Sequence, residues 1–147
     1  MIYYLDTSAL AKIYHEEAGS AFMVALFKSN DAIEISDLGR VEFVATTVRK
    51  WRSGNISRDT CDAKLLLFDS NLETRFKVFG FTETVVSEAM NILAASPLDH
   101  YLRTLDALHI AFHRRYCAES TVFVCADFRL AAFAASLDIP VLNPLEA

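Results

Sequence analysis

Nineteen acidic residues run through this 147-residue chain, and four of them interrupt apolar stretches. Asp6 ends the run Ile2-Tyr3-Tyr4-Leu5, and Glu42 is enclosed by Val41, Phe43 and Val44. Asp106 lies between Leu105 and Ala107-Leu108, and Asp127 closely follows the run Val122 to Cys125. Each alone has an ordinary explanation. An Asp at a strand-to-helix junction caps the helix, and Glu42 or Asp106 can pair with an Arg on a neighbouring helix. Gathered in one place they mean more. Two carboxylates about 4 Å apart repel by about 4 kcal/mol at an effective dielectric of about 20, so such a cluster must hold protons or a divalent cation. An all-oxygen set suits Mg²⁺ or Mn²⁺ rather than Zn²⁺. An ion of that kind binds phosphate oxygens and activates water for in-line phosphodiester hydrolysis.

Whether the four meet depends on the elements that carry them. Residues 2–5 read as a short buried strand, 7–15 as a helix capped by Asp6 or Thr7, and 17–29 as a second helix. Alternation of Ile33, Glu34 and Ile35 predicts a strand over 32–36. A helix capped by Asp37 then runs to Arg52, where Ser53-Gly54-Asn55 stops it. Ser57 opens a long helix reaching Phe76, followed by a strand over 78–81 and a helix over 84–95. The remainder reads as helix 103–118, strand 121–125, helix 127–137 and strand 140–142. Short strands alternating with helices indicate an α/β fold of three layers, a parallel sheet flanked by helices. Asp6 and Asp127 then fall beyond the carboxyl ends of strands, the edge where open α/β sheets bind ligands. Glu42 in the second turn of its helix and Asp106 in the first turn of its own are placed to reach the same edge.

The segments YLDTSAL, GRVEFVA, TLDALHIA and VCADFRLAAFA, in that order and spanning nearly the whole chain, resemble the motifs of PIN-domain ribonucleases. The nearest likeness is to VapC-like toxins of type II toxin–antitoxin pairs. The resemblance implies a single PIN domain over residues 1–147 and an endoribonuclease dependent on Mg²⁺ or Mn²⁺. It carries the family's acidic site onto Asp6 and Asp106 as principal metal ligands, with Asp127 and Glu42 completing the shell. Thr7 and Ser8 match the small hydroxyl residues after the first Asp, suited to orient Asp6 or meet a phosphate at the helix N-terminus. It also implies an RNA substrate and an antitoxin whose segment lies across a groove and obstructs the acidic site. The chain departs from the family at Cys125, where a Thr or Ser often stands; a thiol is the poorer hydrogen-bond partner. A non-catalytic PIN-like binding module and a structure-selective DNA nuclease are the alternatives.

Other features carry competing readings. Arg49, Lys50, Arg52 and Arg58 surround Trp51 without an intervening acid, a pattern that grips RNA phosphates and stacks a base or simply stabilises a helix C-terminus. Arg129 approaches substrate phosphate or neutralises the acidic rim. His109 and His113, four apart, have the spacing of a zinc pair, but Ile110 stands where a zinc peptidase needs Glu, so His109 is expected to pack or hydrogen-bond beneath the sheet. Ser8 stands where an aspartyl phosphatase places its second Asp. Phe68, Phe76, Phe79 and Phe81 form either core or an interaction surface, and a symmetric homodimer is the default assembly.

Composition bounds the rest. With 53% hydrophobic and 22% charged residues, 4 Gly and 3 Pro, the chain is not a disordered one. Three cysteines are an odd count without paired spacing, which favours reduced thiols and a cytoplasmic setting. No apolar run reaches the roughly 20 residues that span a bilayer. A net charge of −5 argues against a generic nucleic-acid coat, whose affinity rests on many cations.

Overall fold

The computed structural model describes residues 1–147. Five parallel strands, β1 (Ile2–Leu5), β2 (Ala32–Ser36), β3 (Phe76–Phe79), β4 (Val122–Val124) and β5 (Val141–Leu142), form one sheet in the order β3-β2-β1-β4-β5. Seven helices connect or follow them: α1 (Thr7–Tyr14), α2 (Ser20–Lys28), α3 (Asp37–Arg52), α4 (Arg58–Leu72), α5 (Glu83–Ala95), α6 (Thr104–Tyr116) and α7 (Phe128–Ser136). No helix is long and apolar enough to cross a membrane.

The period-two alternation of strand side chains builds a core on each face of the sheet. From β1, Tyr3 and Leu5 point to the side covered by α1 to α4, where they meet Leu10, Met23, Phe43 and Phe68. Tyr4 points to the other side, among Val85, Ile110, Phe112 and Leu130 of α5, α6 and α7. β4 divides likewise, Val124 to the first core and Phe123 to the second. This is the expected three-layer α/β arrangement. Phe43 is fully buried, with its ring centroid 4.2 Å from that of Phe68 and 5.0 Å from that of Tyr14. Truncating such a residue to Ala costs about 3–5 kcal/mol, so Phe43 pins the helix that carries its neighbour Glu42.

Strand order reverses at β1: the chain winds out to β2 and β3, then returns to place β4 on the opposite side. The crevice at that reversal, outside the carboxyl ends of β1 and β4, is where a doubly wound sheet leaves room for a ligand.

Several boundaries differ from the sequence reading, some because of a cap a few residues away and some because of a distant contact. α2 begins at Ser20, not at residue 17. The Ser20 hydroxyl accepts the Glu17 backbone N–H and donates to the His15 carbonyl. Gly19 adopts φ +86°, with Pro144 so close that a Cβ there would meet its carbonyl oxygen at 2.9 Å. α3 is capped by Ser36, whose hydroxyl accepts from the Gly39 N–H at 3.1 Å, leaving Asp37 to pair with Arg40. α4 stops at Leu72, and Phe76 belongs to β3, which lies two residues earlier than expected. Arg75 explains this: its guanidinium donates to the carbonyls of Phe27, Leu26 and Ser29 at the end of α2, a favourable place for a cation, and draws the chain out beneath the sheet. The phenylalanine group is mixed. Phe68 and Phe76 are core, Phe79 stacks on Tyr116, and Phe81 is exposed.

Candidate active site

Asp6 and Asp127 are both N-caps and both face the crevice, so the ordinary explanation and the chemical one hold together. The Asp6 carboxylate accepts from the Ala9 N–H at 2.9 Å and from the Ser8 hydroxyl at 2.7 and 2.9 Å. Ser8 in turn accepts the Ala126 N–H at 2.9 Å, tying α1 to the turn after β4. Asp6 is nearly inaccessible. Burial raises its carboxyl pKa above the usual range, while His109, Ser8 and Ala9 pull it back in part.

Glu42 is fixed from a different direction. Its Oε1 accepts from the Thr7 hydroxyl at 2.8 Å and lies 2.7 Å from His109 Nε2. His109 Nδ1 lies 3.0 Å from the hydroxyl of Tyr4, a fully buried residue of β1. Burial pushes the Glu42 carboxyl up, but the hydrogen bonds and charge of His109 and the Thr7 hydroxyl prevail, leaving it below its ordinary value. The Ser8 hydroxyl thus donates to Asp6, whereas that of Thr7 donates to Glu42.

Asp106 and Asp127 are held by one cation. Arg103, in the N-cap position of α6, makes no capping bond. Its Nε instead donates to Asp106 at 3.0 Å and its Nη2 to Asp127 at 3.3 Å. The other Asp127 oxygen accepts the N–H groups of Arg129 and Leu130. The Asp127 N–H meets Cys125 Sγ at 3.3 Å, so the thiol takes a place at this turn that a hydroxyl would fill. Burial and the neighbouring Asp6 hold that thiol far above its ordinary pKa, which leaves it protonated and unfit as a nucleophile.

All four acids line one cleft of about 400 Å³, with Thr7 and Ser8 beside them. The rim is not purely acidic as the sequence suggested. Lys12, Arg49, Lys50 and Arg103 line it too, with Lys12 and Lys50 both paired to Glu17; so many carboxylates in a partly buried space require countercharge. Glu17 and Arg103 stood in the sequence only as helix starts. The i, i+3 spacing of Arg103 and Asp106 was the available signal for the latter; Glu17 gave none. Arg129 does not line this cleft but the groove beside it. The zinc arrangement is absent, because His113 Nε2 turns to the Thr121 carbonyl while His109 serves Glu42 and Tyr4. Arg49 and Lys50 reach the cleft, but Trp51 is covered by Arg58, 4.4 Å from its ring centroid, so no base stacks on that face.

Comparison with known proteins decides the family, for the PIN domain pattern matches residues 3–140. This chain belongs to the PIN-domain family. Ribonuclease VapC47 of Mycobacterium tuberculosis (strain CDC 1551 / Oshkosh) is 31% identical over 131 residues, 86% of this chain and 85% of that one. FitAcB from Neisseria gonorrhoeae shares the fold with a TM-score of 0.69 at 18% identity, covering both chains fully. Mycobacterium tuberculosis VapC20, a sarcin–ricin loop cleaving toxin, does so at 0.68 and 17% identity over 90% of this chain and 94% of its own. The PIN domain described here thus resembles a VapC ribonuclease in sequence over most of its length.

Three or more acids, imidazoles or thiols do not converge on one ligating point in this arrangement. The donor set nonetheless fits a hard divalent ion. It is all oxygen, it comes from four separate elements, and two of its members already share a cation, the Arg103 guanidinium.

Proposed function

We propose that this PIN domain is an endoribonuclease that hydrolyses RNA phosphodiester bonds with Mg²⁺ or Mn²⁺, acting in the cytoplasm as the toxin of a toxin–antitoxin pair. The observation that carries the reading is the lining of one cleft by Asp6, Glu42, Asp106 and Asp127 at the strand-order reversal. Asp6 and Asp106 would be the principal holders of the ion, with Asp127 and Glu42 completing its surroundings directly or through water. Bound there, a divalent ion supplies charge for the scissile phosphate and lowers the pKa of a water. The chain's own groups do the positioning. Ser8 and the Ala9 N–H set the direction of Asp6, and Thr7 with His109 sets that of Glu42. Arg49 and Lys50 offer cations to the flanking phosphates, and Arg103 holds Asp106 and Asp127 through an exposed bridge that a bound divalent charge would displace.

An antitoxin partner is supported by an apolar groove between α3 and α4, lined by Val41, Val44, Leu65 and Phe81 among others, with Asp37 and Arg40 at its edge. Val41 is 67% exposed and Phe81 49%, and apolar side chains left open together with polar residues at their edge mark a surface suited to a protein partner. A homodimer is the simplest self-assembly.

The test is cleavage of RNA by purified protein supplied with Mg²⁺ or Mn²⁺, compared with Asp6→Asn and Asp106→Asn. Loss of cutting in both variants supports the reading. Full, metal-independent cutting by both refutes it, and wild-type protein that binds no divalent ion would favour a non-catalytic module. Growth arrest on expression, relieved by the product of an adjacent small reading frame, tests the toxin role.

A further inference from the structure

Beyond the acid cleft the surface continues into an aromatic groove that none of the foregoing uses. One stretch, about 440 Å³, is lined by Arg103, Asp106, Ala126 and Asp127 together with Tyr101, Phe128 and Arg129. The next, about 510 Å³, shares Tyr101, Phe128 and Arg129 and runs on to His100 and Phe133. The two are therefore one path leading away from the carboxylates. Tyr101 is 77% exposed and Phe128 59%, although large aromatic rings are ordinarily among the first residues to be covered. Neither is held in a ring–ring contact, whereas His100 and Phe133 at the far end pack edge to face at 5.6 Å. Arg129 lines both stretches together with the exposed rings. Its guanidinium takes part in none of the protein's ion pairs, although Asp99 borders the same groove.

Unpaired aromatic faces beside an unpaired cation are what single-stranded nucleic acid requires, since every base has a face to stack and every nucleotide a phosphate to neutralise. A duplex hides its base faces and offers nothing for Tyr101 and Phe128 to meet. A second copy of this chain, itself carrying a net charge of −5, would bring further acids against a groove whose first stretch is already lined by Asp106 and Asp127, a like-charge approach that costs energy. We infer that this groove is a nucleobase subsite: an unstacked base of single-stranded RNA, next to the scissile phosphate, lies against Tyr101 and Phe128 while Arg129 holds the adjoining phosphate. This rests on the ribonuclease reading and adds to it a preference for unpaired RNA and a side of the cleft along which the strand runs.

The experiment measures binding of a fluorescein-labelled, mixed-sequence, single-stranded oligoribonucleotide about 12 nucleotides long to the full chain by anisotropy, without divalent ion, and cleavage of the same strand with Mn²⁺. Tyr101→Ala and Phe128→Ala are each expected to weaken binding about tenfold and to raise KM more than they lower kcat, with Tyr101→Phe restoring most of the loss. Arg129→Gln is expected to lower the slope of log affinity against log salt by about one. The same oligonucleotide annealed to its complement should bind more weakly than the single strand. Wild-type strength and KM in both Ala variants would overturn the subsite, as would equal binding of duplex or no binding by the wild type. Conversion of a dimer to a monomer by Tyr101→Ala in sedimentation would also overturn it, making this face a contact between copies. Binding that follows these expectations without any cleavage would instead refute the ribonuclease reading and leave the groove standing.

Discussion

The two walls of the acid cleft are built on opposite plans. The wall from β1, α1 and α3 is locked by hydroxyls, a backbone N–H and an imidazole. Asp6 is held by a hydroxyl and a backbone N–H, and Glu42 by a hydroxyl and an imidazole whose other nitrogen reaches a buried tyrosine. The wall from α6 and the β4–α7 turn has its two carboxylates bridged by one guanidinium whose side chain is 62% exposed. Hydrogen bonds between buried groups persist because breaking them leaves a polar atom unsatisfied, whereas an exposed ion pair is worth about 0–1 kcal/mol and is exchanged readily. One wall is therefore fixed before any ligand arrives, and the other is held by a cation that another cation can replace.

The contrast is broken most forcefully by removing one acid from each wall. Asp6→Asn and Asp106→Asn should each lower RNA cleavage at least about a thousandfold, or about 4 kcal/mol. Stability should separate them. Asp6→Ala removes a helix cap and orphans the Ala9 N–H, costing about 1–2 kcal/mol in urea denaturation, while Asp106→Ala should stay within about 0.5 kcal/mol of wild type. Equal stability losses would show that the second wall is as rigid as the first.

This division was only partly visible in the sequence. Acids inside apolar runs stand out by type and position, and strand-then-Asp places two of them at one edge with no knowledge of the third dimension. Their partners do not stand out. His109 supports Glu42 from 67 residues away in the chain and Tyr4 supports His109 from 105, and no local pattern marks contacts of that range. The fold shows the same limit. The alternation of short apolar runs with helical ones gave the layers and nearly every element, whereas the end of α4 and the position of β3 depend on Arg75 reaching three carbonyls of α2. Glu17 resembles any surface acid until Lys12 and Lys50 close on it.

The helix that carries the first wall ends in a buried histidine that makes the fold sensitive to acid. His15, at the end of α1, lies 2.9 Å from the Thr47 hydroxyl of α3 and is buried. Burial first, then the nearby Lys64 and Lys50, lower its pKa from 6.5 to about 4. The folded state thus binds fewer protons than the unfolded one between those values. The contribution is complete above about pH 6.5 and is lost as pH falls toward about 4, a total of about 3 kcal/mol. His113, lowered by its own burial, acts in the same direction. Urea denaturation should show stability falling by about 2 kcal/mol from about pH 7 to about pH 5, and His15→Asn should flatten that fall. An unchanged slope in the variant would remove His15 from the account.

His109 tests whether locking matters to the chemistry. His109→Ala takes away the imidazole beside Glu42 and leaves Tyr4 without its partner, so cleavage should fall about 10- to 100-fold. If His109 acts by positioning, His109→Gln, which can still offer an N–H to Glu42, should recover part of the rate at unchanged KM for RNA. Equal losses in the two variants would mean that the imidazole does more than hold Glu42 in place.

The smallest effect belongs to Arg103, and its sign is what counts. If the guanidinium merely neutralises Asp106 and Asp127 until a divalent ion takes its place, then Arg103→Ala removes a competitor. Calorimetric titration should show Mn²⁺ binding about threefold to tenfold more tightly than in wild type, the equivalent of about 1 kcal/mol. Folding stability should change by less than about 1 kcal/mol, since both pairs are solvent-exposed on the arginine side. Raised salt should narrow the difference between variant and wild type, because screening already weakens the native bridge. Weaker Mn²⁺ binding in Arg103→Ala would reverse the interpretation: the arginine would then be holding Asp106 and Asp127 in the geometry that an ion requires, and the second wall would be as preorganised as the first, by an exposed guanidinium in place of partly buried hydrogen bonds.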